Sequence, residues 1–143
     1  MDHEFFTHQL DANQTGWDWF SLQLDDGSDL MLFRLRRKDG AADPYSAGTY
    51  VDKQGRARHL SAHEFEIRPG RTWHKYPVEW TINMPSLHLD VAVTTPLDNQ
   101  EMTSSQVGAY WEGAITVTGS HTGAGYLEIR DNDPLHRISA VTF

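Results

Sequence analysis

One stretch restricts what this chain can fold into more than any other: Gly16 to Arg37, G-W-D-W-F-S-L-Q-L-D-D-G-S-D-L-M-L-F-R-L-R-R. It reads as two β-strands joined by a two-residue turn at Asp26-Gly27, because Asp-Gly supplies the positive φ angles of a type I′ turn. Strand side chains alternate faces, so the turn dictates every cross-strand neighbour. Asp18, Phe20, Leu22 and Leu24 are expected opposite Leu35, Phe33, Met31 and Asp29. Trp17, Trp19, Ser21 and Gln23 are expected opposite Arg36, Arg34, Leu32 and Leu30. The first face is apolar apart from Asp18 and its end at the turn. The second sets two tryptophans against two arginines, a pairing that attracts through the ring quadrupole. Neither face is a plain solvated one.

The rest of the chain repeats this grammar. Asp2 to Leu10 reads as a short strand, and residues 48–52 and 57–60 flank a second turn at Lys53-Gln54-Gly55-Arg56. Residues 64–68, 71–76 and 78–83 follow, separated by Pro69-Gly70 and Pro77. Leu87, Leu89, Val91 and Val93 alternate with His88, Asp90, Ala92 and Thr94 in a clear period of two. Pro96 to Gln106 reads as polar loop. Strands are then expected within 107–119, over 125–130 and over 138–143. About ten short strands, turn signals every 8–12 residues and no long helical pattern point to a closed antiparallel barrel or a sandwich. Closure also removes exposed sheet edges.

With 143 residues, one domain over 1–143 is the simplest reading. A net charge of −8 and no basic stripe argue against nucleic-acid binding. Cysteine is absent, which excludes disulfides and thiolate metal sites. No run approaches the ~20 apolar residues of a membrane span, and the N-terminus lacks a basic-then-apolar signal pattern. Five tryptophans, five tyrosines and six phenylalanines are a heavy aromatic load for a chain only 38% hydrophobic, and suit sheets and concave pockets.

D-H-E-F near the start, G-W-D-W-F-S-L-Q-L-D-D-G, L-R-R-K-D-G, Y-P-V-E-W, Y-W-E-G and G-Y-L-E occur here in one order. As an ordered set, over Met1 to Ile129, they resemble the C-terminal half of the family that joins the AttH-type "predicted secreted hydrolases" to the carotenoid 1,2-hydratases (hydroxyneurosporene synthases). The resemblance implies an all-β, lipocalin-like (calycin-type) antiparallel β-barrel of about 8–10 strands with little helix. It also implies a two-barrel family of which this chain is the equivalent of one half, so that a second lipocalin-like domain or a homodimer is the expected partner. A cell-envelope or secreted setting is implied too. The segment between Trp73 and Tyr76 is shorter than is usual, and the tail after Ile129 departs from the family pattern.

Asp18 is the sharpest candidate for chemistry. On an apolar face its carboxyl would be desolvated, its pKa raised, and a proton donatable near neutral pH; the alternative is a rim carboxylate held by backbone amides or an arginine. His3 shares a strand face with Phe5, and the resemblance places acid–base residues in this region and on the strand equivalent to Met31–Leu35. That second strand carries no carboxylate, which weakens a hydratase reading. Glu112, between Trp111 and Gly113, is a second candidate acid or base, or else a structural partner for Arg34 or Arg36. Eight histidines show no ligand spacing and no H-E-x-x-H motif, so neither a metal nor another cofactor is expected. Nucleophilic hydrolysis lacks a G-x-S-x-G elbow.

Phe5, Trp17, Trp19, Phe20, Phe33, Trp80, Tyr110 and Trp111 are the candidate ligand-binding residues, as barrel core or as a lumen for a flat apolar molecule. Three readings of function follow. One is a barrel enclosing a hydrophobic small molecule of isoprenoid or lipid type, with acid–base hydratase or cyclase chemistry as its enzymatic version. The second is a non-catalytic accessory or partner-binding domain of the cell envelope. The third and weakest is a hydrolase.

Overall fold

The computed structural model describes residues 10–105 and 108–131. The strand expected over 2–10, apart from Leu10 at its end, and the strand expected over 138–143 lie outside these residues, with His3 and Phe5. Twelve strands follow in order: β1 Gln14–Leu24, β2 Asp29–Arg37, β3 Ala47–Val51, β4 Ala57–Ser61, β5 Glu66–Pro69, β6 Thr72–Trp73, β7 Tyr76–Pro77, β8 Glu79–Met84, β9 Leu89–Thr94, β10 Glu101–Ser104, β11 Gly108–Gly119 and β12 Gly123–Asp131. One short 3-10 turn, Pro85–Leu87, stands where a plain turn was expected, and His88 closes it in the left-handed region. β10 corrects the expected polar loop over Pro96–Gln106. Its sequence E-M-T-S carries no apolar alternation, and it exists because β11 offers Gly108 to Trp111 as a ladder partner.

Ten strands make one antiparallel sheet in the order β4-β3-β2-β1-β12-β11-β9-β8-β5, with β10 beside the first part of β11. Chain length forces this sheet to curl. Nine strands laid flat at about 4.8 Å spacing span roughly 38 Å. Yet the two edge strands are consecutive, and Ser61 to Glu66 reaches at most about 18 Å when fully extended. The result is a lipocalin-like half-barrel of antiparallel strands, as the strand count and the family resemblance imply. Its concave face is apolar. Phe20, Leu22 and Leu24 of β1 meet Leu30 and Leu32 of β2, Leu60 of β4, Ile82 and Met84 of β8, Val91 and Val93 of β9, and Leu127 and Ile129 of β12 in one buried cluster. Inward residues alternate with half-buried or exposed ones along β1, β8, β9 and β11.

The β1–β2 hairpin corrects the sequence reading at its turn. Leu24 donates its backbone N–H to the Ser28 carbonyl (2.9 Å), and Gly27 donates to the Leu24 carbonyl (3.0 Å). The loop is therefore the three residues Asp25, Asp26 and Gly27, with Gly27 alone at positive φ (88°), a bulged turn rather than a type I′ turn. The Asp26 carboxylate holds it by accepting the Ser28 N–H (2.9 Å). One extra loop residue slips the register by one, and a one-residue slip exchanges faces. Asp18, Phe20 and Leu22 lie opposite Arg34, Leu32 and Leu30, whereas Trp17, Trp19 and Ser21 lie opposite Leu35, Phe33 and Met31. The arginines thus move to the concave face, beside Asp18. Phe33 and Leu35 move to the convex face, beside the tryptophans.

Candidate functional site

The corrected register gathers charge at one end of the concave face. Asp18 is 1% exposed. Arg34 Nη1 donates to its Oδ2 at 3.0 Å, and Arg36 Nε lies 3.3 Å from the same oxygen, an ion-pair contact without hydrogen-bond alignment. Arg36 is held from its far side: Nη1 bonds Asp131, Nη2 donates to the Arg130 carbonyl (2.6 Å), and Nη2 also reaches the Trp17 carbonyl (3.4 Å). Gly16 makes room for this guanidinium, because a Cβ there would stand 2.7 Å from Arg36 Nη2 and 2.0 Å from the Arg130 carbonyl oxygen. Two acids and two bases therefore alternate, Arg34–Asp18–Arg36–Asp131, with no net charge. Burial pushes the Asp18 carboxyl above its ordinary range, and the guanidiniums of Arg36 and Arg34 pull it back. Its other oxygen, Oδ1, is buried without a hydrogen-bond partner among the described residues.

Tyr76 is fully buried near the same end. Burial, and then the Glu101 carboxylate, raise its phenol pKa, while Oη has no partner at hydrogen-bond geometry among the described residues. Beyond it, Trp111 Nε1 donates to the Asp98 carbonyl at 2.7 Å, and the Asp98 carboxylate takes both ends of the Arg71 guanidinium (2.7 and 2.8 Å).

A cavity of about 220 Å3 opens beside Arg34. Arg34, Ala42, Ser46, Ala62, Phe65, Glu66 and Ile67 line it. The segment between β2 and β3 forms one wall, and the β4–β5 connection with the start of β5 forms the other. Ser46 is fixed as a wall residue because its Oγ accepts the Leu35 N–H (3.0 Å). Glu66 is engaged by Arg68 through two bonds of 2.9 Å.

The expected site residues divide between the two faces. Asp18, Phe20, Trp80 and Trp111 point into the concave core. There Phe20 and Trp80 meet edge to face, with centroids 5.3 Å apart, and Trp80 Nε1 donates to the Pro77 carbonyl (3.1 Å). Trp17, Trp19, Phe33 and Tyr110 are half-buried on the convex face. Trp17 tilts against Phe33 at 6.3 Å, and Arg130 sits over both the Trp17 ring (5.5 Å) and the Tyr110 ring (5.9 Å). Glu112 also lies on this convex side, opposite Glu128 in the ladder. It lies near the Tyr126 phenol, whose pKa is raised first by burial and then by that carboxylate. Glu112 is thus across the sheet from Asp18, and its expected structural partners Arg34 and Arg36 belong to Asp18 instead. Among the described residues no three His, Asp or Glu side chains gather where a metal ion would bind, and no helix is long and apolar enough to cross a membrane.

Arg34, Arg36, Asp131 and Tyr76 are members of this end that sequence reasoning missed. The signal for the arginines was present: Leu30, Leu32, Arg34 and Arg36 share one parity on β2, so a face that is apolar at one end must be basic at the other.

The family model for AttH-like proteins matches residues 1–131 of the chain. Among solved structures, an AttH candidate from Nitrosomonas europaea is 35% identical, with a TM-score of 0.76 over 86% of this chain. The chain spans only 40% of that protein's length. None of the curated proteins compared with the chain matches it.

Proposed function

Because the chain belongs to the AttH-like family, we propose that its half-barrel is a binding domain for a hydrophobic small molecule of lipid or isoprenoid type, which it holds rather than transforms. The observation that carries this reading is the open cavity beside Arg34, with apolar walls at Ala42, Ala62, Phe65 and Ile67. An engineered apolar cavity of about 150 Å3 accepts benzene, so about 220 Å3 admits a short chain or the end of a longer one. Such a mouth leaves the remainder of a long ligand outside. The aromatic pair Phe20 and Trp80 belongs to the buried core.

Acid–base turnover finds less support. Protonating an alkene needs a carboxylic acid facing a dry pocket with its proton in hand. Asp18 meets two guanidiniums, and Glu112 is on the opposite face of the sheet. Mass spectrometry of lipophilic molecules that stay with the intact protein through purification tests the binding reading. Recovery of a defined apolar ligand at near one equivalent is the expected result. A protein that returns none, and whose tryptophan emission does not change with any lipid or isoprenoid in a panel, overturns it.

A specific feature favours a second, partner-binding reading. Trp17, Trp19, Phe33 and Tyr110 form an aromatic stripe on the convex face, which a soluble sheet covers with polar side chains in the absence of a partner. A second lipocalin-like domain, or a second copy of this chain, is the partner this reading calls for. Light scattering at high protein concentration that finds only a monomer counts against the second copy.

A further inference from the structure

We propose that the cavity beside Arg34 recognises a carboxylate-bearing amphiphile, with the carboxylate on the Arg34 guanidinium and a short alkyl chain against Phe65, Ile67, Ala42 and Ala62. This deepens the reading of the domain as an apolar-ligand binder and rests on it. Arg34 has one hydrogen bond among the described residues, from Nη1 to Asp18. Its remaining nitrogens are not among the buried polar atoms that lack partners. They therefore meet solvent, and this cavity is a solvent-accessible space that Arg34 borders.

A guanidinium offers five donors in a rigid fork, and a carboxylate matches two of them in parallel. The other charges nearby are already matched. Asp18 occupies one edge of Arg34, Asp131 pairs with Arg36, and Glu66 pairs with Arg68. The ligand's headgroup therefore meets a positively charged edge without having to displace an acid. Apolar walls and one guanidinium with donors to spare, beside a Ser46 committed to Leu35 and a Glu66 committed to Arg68, suit a molecule that is charged at one end only. A neutral polyene leaves the Arg34 donors wet or buried without partners, which carries the cost of unsatisfied polar groups. An inorganic anion leaves Phe65 and Ile67 uncovered.

Titration calorimetry with octanoate, octanol and acetate tests this on the full chain, alongside Ala62→Trp, which fills the cavity and leaves every residue of the ion network in place. The expected result is that octanoate binds at least tenfold more tightly than either octanol or acetate. Ala62→Trp is expected to abolish that binding, and octanoate to shift the Arg34 Nε–H resonance in a nitrogen-15 NMR spectrum. Octanol binding as tightly as octanoate, and lost in Ala62→Trp, overturns the carboxylate assignment but leaves the apolar-binding reading standing. Acetate binding as tightly as octanoate removes the amphiphile. Binding of none of the three overturns the inference, and the co-purification experiment then decides the wider reading by itself. An octanoate response unchanged in Ala62→Trp, with Arg34 Nε–H unmoved, places the ligand elsewhere and overturns the site.

Discussion

Arg34 Nη1 donates to Asp18 Oδ2 at 3.0 Å across the first hairpin, so the most buried acid of the described chain is held by its cross-strand neighbour. Asp18 is 1% exposed, and the Arg34 and Arg36 side chains are 13% and 22% exposed. Removing the acid strands the Arg34 guanidinium in a poorly solvated place, while Arg36 keeps Asp131. Breaking a buried ion pair costs about 3–5 kcal/mol, but the bond Asp131 keeps to Arg36 and the desolvation that the charged Asp18 itself bears set Asp18→Asn below that range. Urea unfolding is expected to show a loss of about 1–2 kcal/mol in that variant. The double variant Asp18→Leu with Arg34→Met is expected to lose less, because Asp131 still satisfies Arg36. A double variant less stable than Asp18→Asn would show that the pair stabilises the fold beyond its mutual neutralisation.

The same network is enforced by the absence of one methyl group. A Cβ on Gly16 would lie 2.0 Å from the Arg130 carbonyl oxygen, which is backbone and cannot swing aside. Gly16→Ala therefore pushes β1 from β12 where Arg36 bridges them, and severe core overpacking costs about 1–3 kcal/mol or more. The expected outcome is a melting temperature lower by about 3–12 °C for a domain of this size. Loss of protection in amide exchange should concentrate at Asp18 and Ile129, which face each other just inside the bridge.

Acid should destabilise the protein, with Asp18 opposing the trend. Hydrogen bonds from Ser28, Arg56 and Ser61 lower the Asp26, Asp52 and Glu64 pKa values, and Arg71 lowers that of Asp98. A lowered folded pKa contributes stability that is present above the unfolded values, 3.8 for Asp and 4.5 for Glu, and is lost as pH falls through the folded ones. Asp18 is raised, chiefly by burial, so its contribution is greatest below 3.8 and declines as pH rises through its folded pKa. With Asp43, lowered by the Tyr45 N–H, five carboxylates against one give a net rise in unfolding free energy between pH 3 and pH 5. In Asp18→Asn that rise should be steeper, because the opposing contribution is gone. Urea titrations at pH 3, 4, 5 and 7 measure both slopes.

Much of this architecture is legible in the chain. The period of two over Leu89, Val91 and Val93 places β9 and its buried face, and Gly55 after Asp52 places the β3–β4 turn. The charged end of the barrel was not legible, for a physical reason that one residue contains. Asp26-Gly27 suits a two-residue turn as well as the last part of a three-residue bulged one, and local preference does not separate them. Ser28 does, since its backbone N–H reaches back to Asp26 and it is buried. An error of one residue there exchanged the faces of Arg34 and Phe33, and with them the whole reading of Asp18. β10 escaped for another reason: its sequence is polar, and its strand form comes from the partner ladder.

That dependence on one turn yields a last prediction. Gly27 is at φ 88°, where an L side chain costs about 1 kcal/mol or more and asparagine considerably less. Gly27→Ala should therefore lose about 1 kcal/mol, and Gly27→Asn a few tenths. The register itself should survive both, because a slip would drive Arg34 to the convex face and Phe33 into the ion network. Cross-strand amide contacts by NMR check this directly. Trp19 paired with Phe33 is expected in every variant, and a population with Trp19 paired to Arg34 would show that the turn, rather than the buried face, sets the hairpin.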